Sequence, residues 1–357
     1  MMIRKLKAAH NILMEEGATK LLSTLRLRAA RNLGGNSLSH LFPVMAYYTH
    51  PDGERIPLYA GYRDFMKPLH CLAHTGVQGY KLFWRDNAQN FLGKTRLAGA
   101  LQFYRFLSRD LHLDIKGKKI LDVGCGDGAL AYVLAAHGAS EVHGIDTDFS
   151  YRQLNPQHPD LLKDAVRQLP AMADRRIEDL DRAVQLFEGD IQRLQIEGRY
   201  DIILSLTVLE HVFDLRTGLQ AMCDMLTPGG FMIHRFNPYF SETGGHEFGI
   251  LDFPWGHVRL SRDEIAEYLE TYRAWERDQT LDTLDQAFNS PKLTLDEIDV
   301  LFGTLGLTIL HASESRAFSW KPDSSREEIL KQCRRNYPTI TWRDLASDNV
   351  MRLLRKN

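Results

Sequence analysis

The sequence of 357 residues is poor in cysteine. Its four cysteines, Cys71, Cys125, Cys223 and Cys333, are far apart, and none belongs to a C-x-x-C pair. Structural zinc sites and disulfide frameworks need closer or patterned spacing, so we expect ordinary reduced thiols.

Long hydrophobic runs are absent as well. No stretch of about 18 apolar residues occurs, which argues against a membrane-spanning helix. The beginning of the sequence also lacks the apolar core and small-residue cleavage site of a secretory signal. Together these absences predict a cytoplasmic protein.

The sequence has no excess of positive charge. Lys and Arg total 44 against 46 Asp and Glu, which gives a formal net charge of −2. Nucleic-acid-binding domains usually carry a strongly basic face, so we expect no nucleic-acid partner. With 44% hydrophobic and 25% charged residues, the composition is that of a soluble globular protein.

Residues 1–43 are predicted to form basic amphipathic helices. An apolar stripe that includes Leu6, Leu13 and Leu21 runs beside a surplus of Lys and Arg. Such helices can lie on an anionic membrane surface, or they can pack on their own domain or on a partner subunit. A peripheral location at the inner face of the membrane is therefore the alternative to a purely cytoplasmic one, and an oligomer is compatible with the sequence.

Residues 44–60 predict a β-hairpin. Strand-forming residues at 44–49 and 55–59 flank Pro51-Asp52-Gly53, a turn in which proline fixes φ and glycine accepts a positive φ. The following segment, residues 80–113, has the periodicity of a helix.

From residue 118 onward, strands alternate with helices, which predicts a parallel sheet with helices on both faces. The predicted strands cover residues 119–123, 141–145, 184–188, 200–206, 231–236, 307–312 and 349–355. The predicted helices cover residues 129–137 and 217–226, with an extra helix within 149–182.

A glycine-rich loop, Gly124-Cys125-Gly126-Asp127-Gly128, follows the first strand of this sheet and leads into a helix. Glycines let the backbone approach a ligand closely, and the helix N-terminus supplies amide donors. Dinucleotide enzymes prefer G-x-G-x-x-G, whereas here the third glycine comes one residue early and Asp122 stands before the first.

Three later segments fall where a nucleotide-type ligand would need them. Asp146 ends the next strand, 24 residues after Asp122, at the distance expected of an acid that binds ribose hydroxyls. Glu188-Gly189-Asp190-Ile191 closes the third strand, where a carboxylate can accept a hydrogen bond from an exocyclic amino group. The strand that ends near Leu206 passes beside the ligand at the carboxyl edge of the sheet.

Together these segments resemble a class I S-adenosylmethionine-dependent methyltransferase, and most closely the group that includes the ubiquinone-biosynthesis O-methyltransferases. The likeness spans roughly residues 118–237. It implies an α/β fold with a Rossmann-like doubly wound sheet, mostly parallel with an antiparallel C-terminal strand. An N-terminal helical and hairpin region and an insertion after the fifth strand lie outside that core.

The resemblance implies S-adenosyl-L-methionine as the cofactor and S-adenosyl-L-homocysteine as its product. It also implies roles for seven residues in binding the cofactor. Asp122, Gly124 and Gly126 frame its methionine part, and Asp146 binds its ribose. Asp190 and Ile191 contact its adenine, and Leu206 lies at the site next to the sulfonium. A second likeness, to bacterial methyltransferases that modify surface polysaccharides, rests on the basic N-terminal helix and the compact lead-in region.

On this interpretation the chain has five parts. Basic helices cover residues 1–43, and a hairpin and helical lid region covers residues 44–114. The cofactor-binding core covers residues 115–237, and a substrate-binding insertion covers residues 238–292. A C-terminal part that completes the sheet covers residues 293–357.

The insertion is where we expect the methyl acceptor, a small molecule or a glycan hydroxyl. It is rich in glycine and aromatic residues and carries His246 and His257 in a stretch with little periodicity, which is typical of a binding loop. Histidine serves readily as a base near neutral pH, so His257 is the first candidate for general base and His246 the second. The alternative is that both histidines are structural. Arg259 can clamp an acidic or sugar-phosphate acceptor, or it can cap the helix that follows at residues 261–264.

Three alternatives remain beside this hypothesis. A divalent-metal site would use Glu210, His211, His246 and His257, but these residues lack tight spacing, and we predict no metal. An NAD-dependent oxidoreductase would need a later third glycine. A non-catalytic binding module would show a damaged glycine loop or a lost ribose acid.

Overall fold

The structure, a computed structural model, describes residues 37–66, 97–149, 157–173, 176–193, 198–242, 244–245, 251–288, 290–316 and 321–357. The predicted basic helices before residue 37, and the first part of the predicted helical segment, residues 80–96, lie outside these ranges. Within them, no helix is long and apolar enough to cross a membrane.

The described residues form nine strands: β1 (Val44–Thr49), β2 (Arg55–Tyr59), β3 (Lys119–Val123), β4 (Glu141–Asp146), β5 (Val184–Glu188), β6 (Tyr200–Leu206), β7 (Leu226–Phe236), β8 (Leu307–Ser315) and β9 (Asn349–Lys356). The α-helices are α1 (Leu38–Leu41), α2 (Tyr62–Met66), α3 (Leu97–Arg105), α4 (Ala129–Ala136), α5 (His158–Arg167), α6 (Ile177–Ala183), α7 (Leu215–Met225), α8 (Gly256–Arg259), α9 (Arg262–Tyr272), α10 (Arg277–Phe288), α11 (Leu295–Thr304), α12 (Arg326–Arg334) and α13 (Trp342–Ala346). Short π- or 3₁₀-helical segments cover Phe106–Asp110, Pro170–Met172, Leu209–His211 and Ala274–Glu276.

The chain divides into two compact units. The first draws on residues 1–75, 238–294 and 315–349, and the second on residues 76–237, 295–314 and 350–357.

The second unit is built on a seven-stranded sheet in the order β5-β4-β3-β6-β7-β9-β8. Strands β5, β4, β3, β6 and β7 are parallel to their neighbours, and β9 is antiparallel to β7. The predicted mostly parallel sheet with an antiparallel C-terminal strand is thereby confirmed. The chain runs outward from β3 to β5 and then returns to the other side of β3 with β6. The strand order therefore reverses between β3 and β6, and open sheets of this kind bind ligands at that point.

Helix α4 is buried at every one of its eight residues. Its sequence, Ala-Leu-Ala-Tyr-Val-Leu-Ala-Ala, is apolar on all sides, which is the composition of a helix enclosed by its domain. Because α4 follows the glycine loop directly, this burial fixes the loop against the sheet.

Strand β7 begins five residues before the predicted start at residue 231. Leu226 pairs with Tyr200, and the next pair along the ladder is Phe231 with Ile202. The Thr-Pro-Gly-Gly segment between them, which has the residue types of a turn, forms an irregularity inside the strand. The predicted extra helix between the second and third strands is two helices, α5 and α6.

The first unit contains the predicted hairpin. Strands β1 and β2 pair antiparallel, with Thr49 opposite Arg55, and Gly53 in the turn has a φ of 86°. Buried side chains of the hairpin share one hydrophobic cluster with residues of the insertion, among them Phe253 and Tyr268. A second cluster joins the insertion to α12 and α13 and includes Trp255 and Ile340.

Candidate functional site

The glycine loop is shaped by three left-handed glycines. Gly124, Gly126 and Gly128 have φ values of 72°, 54° and 83°, which residues with a side chain rarely adopt. At Gly124 an added Cβ would lie 2.1 Å from Cγ2 of Val208. The loop therefore packs directly against the chain that leaves β6.

Backbone hydrogen bonds hold the start of this loop against β4. The amides of Gly124 and Cys125 both donate to the carbonyl of Ile145, at 2.7 and 3.1 Å. The amide of Ala129, in the first turn of α4, donates to Oδ1 of Asp127 at 3.2 Å. Asp127 thus caps the N-terminus of α4, the helix end that the sequence predicts to lie beside a nucleotide-type ligand.

Asp146, the predicted ribose ligand, lies next to the glycine loop. Its Oδ2 accepts a hydrogen bond from the amide of Gly126 at 2.8 Å, and its Oδ1 accepts one from the amide of Asp148 at 3.1 Å. A carboxylate has about four acceptor positions, so two bonds of this kind leave capacity for a pair of hydroxyl donors. The side chain is partly exposed.

Asp122 is buried at the end of β3, with 3% of its surface exposed. Burial, together with the negative charges of Asp146 and Asp127, raises the pKa of its carboxyl group to about 8. In the absence of a cationic partner, this carboxyl group is therefore mainly protonated at neutral pH.

A buried pair of side chains behind the loop was not predicted from the sequence. Nε2 of His158 donates to Oδ2 of Asp127 at 3.1 Å, and both side chains are buried. This bond ties the glycine loop to the first residue of α5. An aspartate just before a helix start could have signalled the capping role of Asp127, but nothing in the sequence connects it to a histidine 31 residues away.

Asp190 and Ile191, the predicted adenine contacts, follow β5 directly. Glu188 is paired with Asp146 in the ladder, and the amide of Gly189 donates to the carbonyl of Asp146 at 2.8 Å. Oδ1 of Asp190 accepts the amide of Gln192 at 2.9 Å, and Ile191 is buried. The turn after β5 is therefore anchored to the strand end that carries the predicted ribose ligand, Asp146.

The turn after β6 contains a strained residue that the sequence did not reveal. Thr207, next to the predicted Leu206, has a φ of 57°, which is an outlier for a β-branched side chain. Its amide donates to the carbonyl of Arg235 on β7 at 2.6 Å. This backbone conformation at Thr207 places the following residue, Val208, over Gly124.

Buried Glu210 connects the ends of β6 and β7. Its Oε1 accepts the amide of Asn237 at 3.3 Å. The structure thus gives Glu210 a structural contact at the carboxyl edge of the sheet.

The structure brings all seven predicted cofactor residues to the carboxyl ends of four adjacent strands, namely Asp122, Gly124, Gly126, Asp146, Asp190, Ile191 and Leu206. Two of these strands, β3 and β6, flank the point where the strand order reverses. The fold and this constellation define a protein of the nucleotide-cofactor-binding α/β class.

The two histidines predicted to act on the methyl acceptor belong to the insertion, residues 238–292, which is part of the first unit. His257 is fully buried, and its Nε2 donates to the carbonyl of Tyr239 at 2.7 Å. His246 lies outside the described residues. Among the residues that the structure describes, no group of three or more His, Cys, Asp and Glu is arranged to hold a metal ion.

A family model described as a methyltransferase domain matches residues 93–311. The chain belongs to this methyltransferase family, and the resemblance to class I S-adenosylmethionine-dependent methyltransferases is confirmed.

Curated relatives also match part of the chain. The chain is 33% identical over 137 residues to a ubiquinone biosynthesis O-methyltransferase of Shewanella sp. (strain ANA-3), covering 36% of this chain and 49% of the relative. A protein of the same description from Coxiella burnetii (strain Dugway 5J108-111) is 30% identical over 164 residues, covering 44% of this chain and 62% of the relative. The chain spans about half the length of the first of these relatives.

Solved structures also align with the chain. One is an S-adenosylmethionine-dependent methyltransferase from Mesorhizobium loti, at 17% identity and a TM-score of 0.42, covering 73% of this chain and all of the other. Another is magnesium protoporphyrin IX methyltransferase from Synechocystis PCC 6803 with bound SAH, at 14% identity and a TM-score of 0.39, covering 73% of this chain and 83% of that one.

Proposed function

We propose that this protein is an S-adenosylmethionine-dependent methyltransferase that methylates a hydroxyl group of a small-molecule acceptor. The observation that carries the proposal is the hydrogen bond between Asp146 and the amide of Gly126, because it joins the ribose acid to the glycine loop at the point where the strand order reverses. An NAD-dependent oxidoreductase is disfavoured by the early third glycine.

The residues present fit the proposed cofactor. The close contact of Gly124 with Val208 admits no side chain at this position of the loop, which keeps the loop narrow beside β6. Asp146 retains acceptor capacity for a ribose diol, and Asp190 offers carboxylate oxygens to an amino group. A buried carboxyl group at Asp122 suits a cationic ligand group, whose charge would favour ionisation.

When bound, S-adenosylmethionine supplies an electrophilic methyl group and leaves as S-adenosylhomocysteine. The chain's contribution is to hold the acceptor oxygen in line with that group and to remove water from between them. Transfer forms an oxygen–carbon bond, breaks the sulfur–carbon bond, and releases the hydroxyl proton to a base. We assign that base to His257 first and to His246 second.

Three further features belong to the proposal. The acceptor hydroxyl is carried by a small molecule or by a sugar of a surface glycan, in keeping with the aromatic, glycine-rich insertion. The basic segment before residue 37 supports peripheral contact with an anionic membrane from the cytoplasmic side. The same segment is also suited to packing against a second subunit.

The cofactor assignment is tested by titrating the full chain with S-adenosylhomocysteine in a calorimeter. We expect saturable binding that weakens at least about tenfold in Asp146→Ala, because bonds to a charged acceptor each contribute about 1.5–3 kcal/mol. Asp114→Ala, an acid that accepts only a local turn bond from Lys116, is the matched control and should bind like the parent. Absence of any heat or thermal shift with the parent protein would refute the proposal.

The base assignment is tested with a labelled-methyl assay on hydroxylated metabolites and sugars. We expect His257→Gln to lower kcat about 100-fold or more while leaving cofactor binding intact. The parent's rate should fall as the pH drops, since the base must be unprotonated, and this acidic limb should vanish in the variant. The exposed His311→Gln serves as control. If His257→Gln keeps the parent's profile, His246→Gln takes its place in the same assay.

A further inference from the structure

Arg259, the last residue of α8, is a buried cation that has no acidic hydrogen-bond partner among the residues that the structure describes. Its side chain is 3% exposed. Nε donates to Oε1 of Gln332 at 2.8 Å, and Nη1 donates to the carbonyl of Pro254 at 3.4 Å. Both acceptors are uncharged. The remaining nitrogen, Nη2, is buried and has no hydrogen-bond partner in the described chain.

This guanidinium is still charged at neutral pH. Burial lowers the pKa of Arg259, to about 10, and the nearby charge of Arg335 lowers it as well. A charge removed from water requires a compensating partner, and a guanidinium presents five N–H donors arranged to meet one. Glu54 is the nearby carboxylate, but it is already paired with Lys331 and Arg335.

Arg335 supplies a second nitrogen of the same kind. Its Nη2 pairs with Asp52 at 2.6 Å and with Glu54, whereas its Nη1 is buried and has no hydrogen-bond partner among the described residues. Arg335 directly follows α12, three residues after Gln332, whose side chain accepts the bond from Arg259. The charge of Arg335 also acts on Arg259, so the two guanidinium groups belong to one cluster of the first unit.

We propose that Arg259 and Arg335 form an oxyanion-binding site, with Nη2 of the first and Nη1 of the second as its donors. The ligand is a phosphate or carboxylate group, since arginine binds both through paired N–H donors. Such a group supplies the negative charge that Arg259 lacks. The site is independent of the cofactor and of the proposed methyl transfer.

The test measures the melting temperature of the full chain in increasing sodium phosphate, with sodium chloride at equal ionic strength as reference. We expect a saturable rise in phosphate beyond that in chloride, as for any ligand of the native state. In Arg259→Gln the apparent phosphate affinity should fall about tenfold or more, since a charge-assisted pair is lost. Sodium acetate is tested in a parallel series. If acetate raises the melting temperature at a lower concentration than phosphate does, the carboxylate is the preferred group.

The matched control is Arg262→Gln, which removes an equal charge from an exposed arginine paired with Asp285. It should keep the parent's response to phosphate. If Arg259→Gln does not fold, Arg335→Gln replaces it with the same expectation. An equal response in the parent and these variants, or a response no larger than that in chloride, overturns the site and leaves water as the partner of both nitrogens.

Discussion

Gly124 is the residue at which one added carbon is expected to do most damage. Gly124→Ala places a Cβ 2.1 Å from Val208 and forces alanine into a φ of 72°. We expect the free energy of unfolding, measured by urea denaturation, to fall by about 2–4 kcal/mol, which combines overpacking with left-handed strain.

A second glycine separates these two causes. Gly117 has a φ of 69°, but an added Cβ would meet no atom within 4 Å. Gly117→Ala should therefore lose only about 1–2 kcal/mol, the cost of the backbone conformation. Adding Val208→Ala to Gly124→Ala should restore part of the lost stability. Equal losses at the two glycines would contradict the close contact.

Asp122 makes the stability of the protein depend on pH. Its pKa is about 8 in the folded protein against an ordinary 3.8, so the folded state retains a proton that the unfolded chain releases. The contribution of Asp122 to the free energy of unfolding is therefore present below about pH 4 and is lost as the pH rises toward 8.

Replacing this carboxyl group should remove that part of the pH dependence. Relative to the parent, Asp122→Asn should become progressively more stable between about pH 5 and pH 8 in urea denaturation series. Asp114→Asn, which changes an exposed acid, should follow the parent at every pH. Parallel curves for the parent and Asp122→Asn would mean that the carboxyl group is ionised in the folded protein.

At the scale of elements, β9 contains a charged side chain that is buried in the interior. Arg352 is fully buried and donates to both oxygens of Asp299 on α11, at 2.7 and 3.0 Å, and to Glu314 on β8 at 2.8 Å. Arg352→Ala should lower the free energy of unfolding by about 3–5 kcal/mol, because it removes the cation from a buried ionic network.

The same strand provides the control for this prediction. Arg355 is exposed on β9, so Arg355→Ala should change the stability by no more than about 0.5 kcal/mol in the same urea series. A loss at Arg352 as small as that at Arg355 would show that the network contributes specificity of packing rather than stability.

The elements themselves follow closely from local patterns. All seven strands of the sheet were predicted, because apolar runs bounded by turn residues report a buried strand. The start of β7 was wrong, since Thr227-Pro228-Gly229-Gly230 has the chemistry of a turn and only the pairing with β6 shows that the strand continues around it. Local residue types identify a turn, but pairing with the neighbouring strand determines whether the strand ends at that turn.

At the scale of the whole molecule, the sequence predicts where the strands end, but it does not predict contacts between distant residues. The predicted cofactor residues lie together because parallel strands place their carboxyl ends at one edge of the sheet. The Asp127–His158 pair, the strained Thr207 and the two arginine nitrogens of the first unit depend on tertiary packing, which no local spacing encodes. Similarly, the hairpin, the insertion and α12–α13 share cores although they are far apart in the sequence.

The position of β9 beside β7 has a consequence for biosynthesis. The two strands are neighbours in the sheet, yet more than a hundred residues separate them in the chain. While a ribosome makes the intervening segment, β7 has β6 on one side and an open row of backbone donors and acceptors on the other. Such an edge is a template for pairing with another nascent chain. Translation that stalls between the two strands should therefore yield aggregation-prone chains that depend on chaperones, even though the strands from β3 to β6 have already been made.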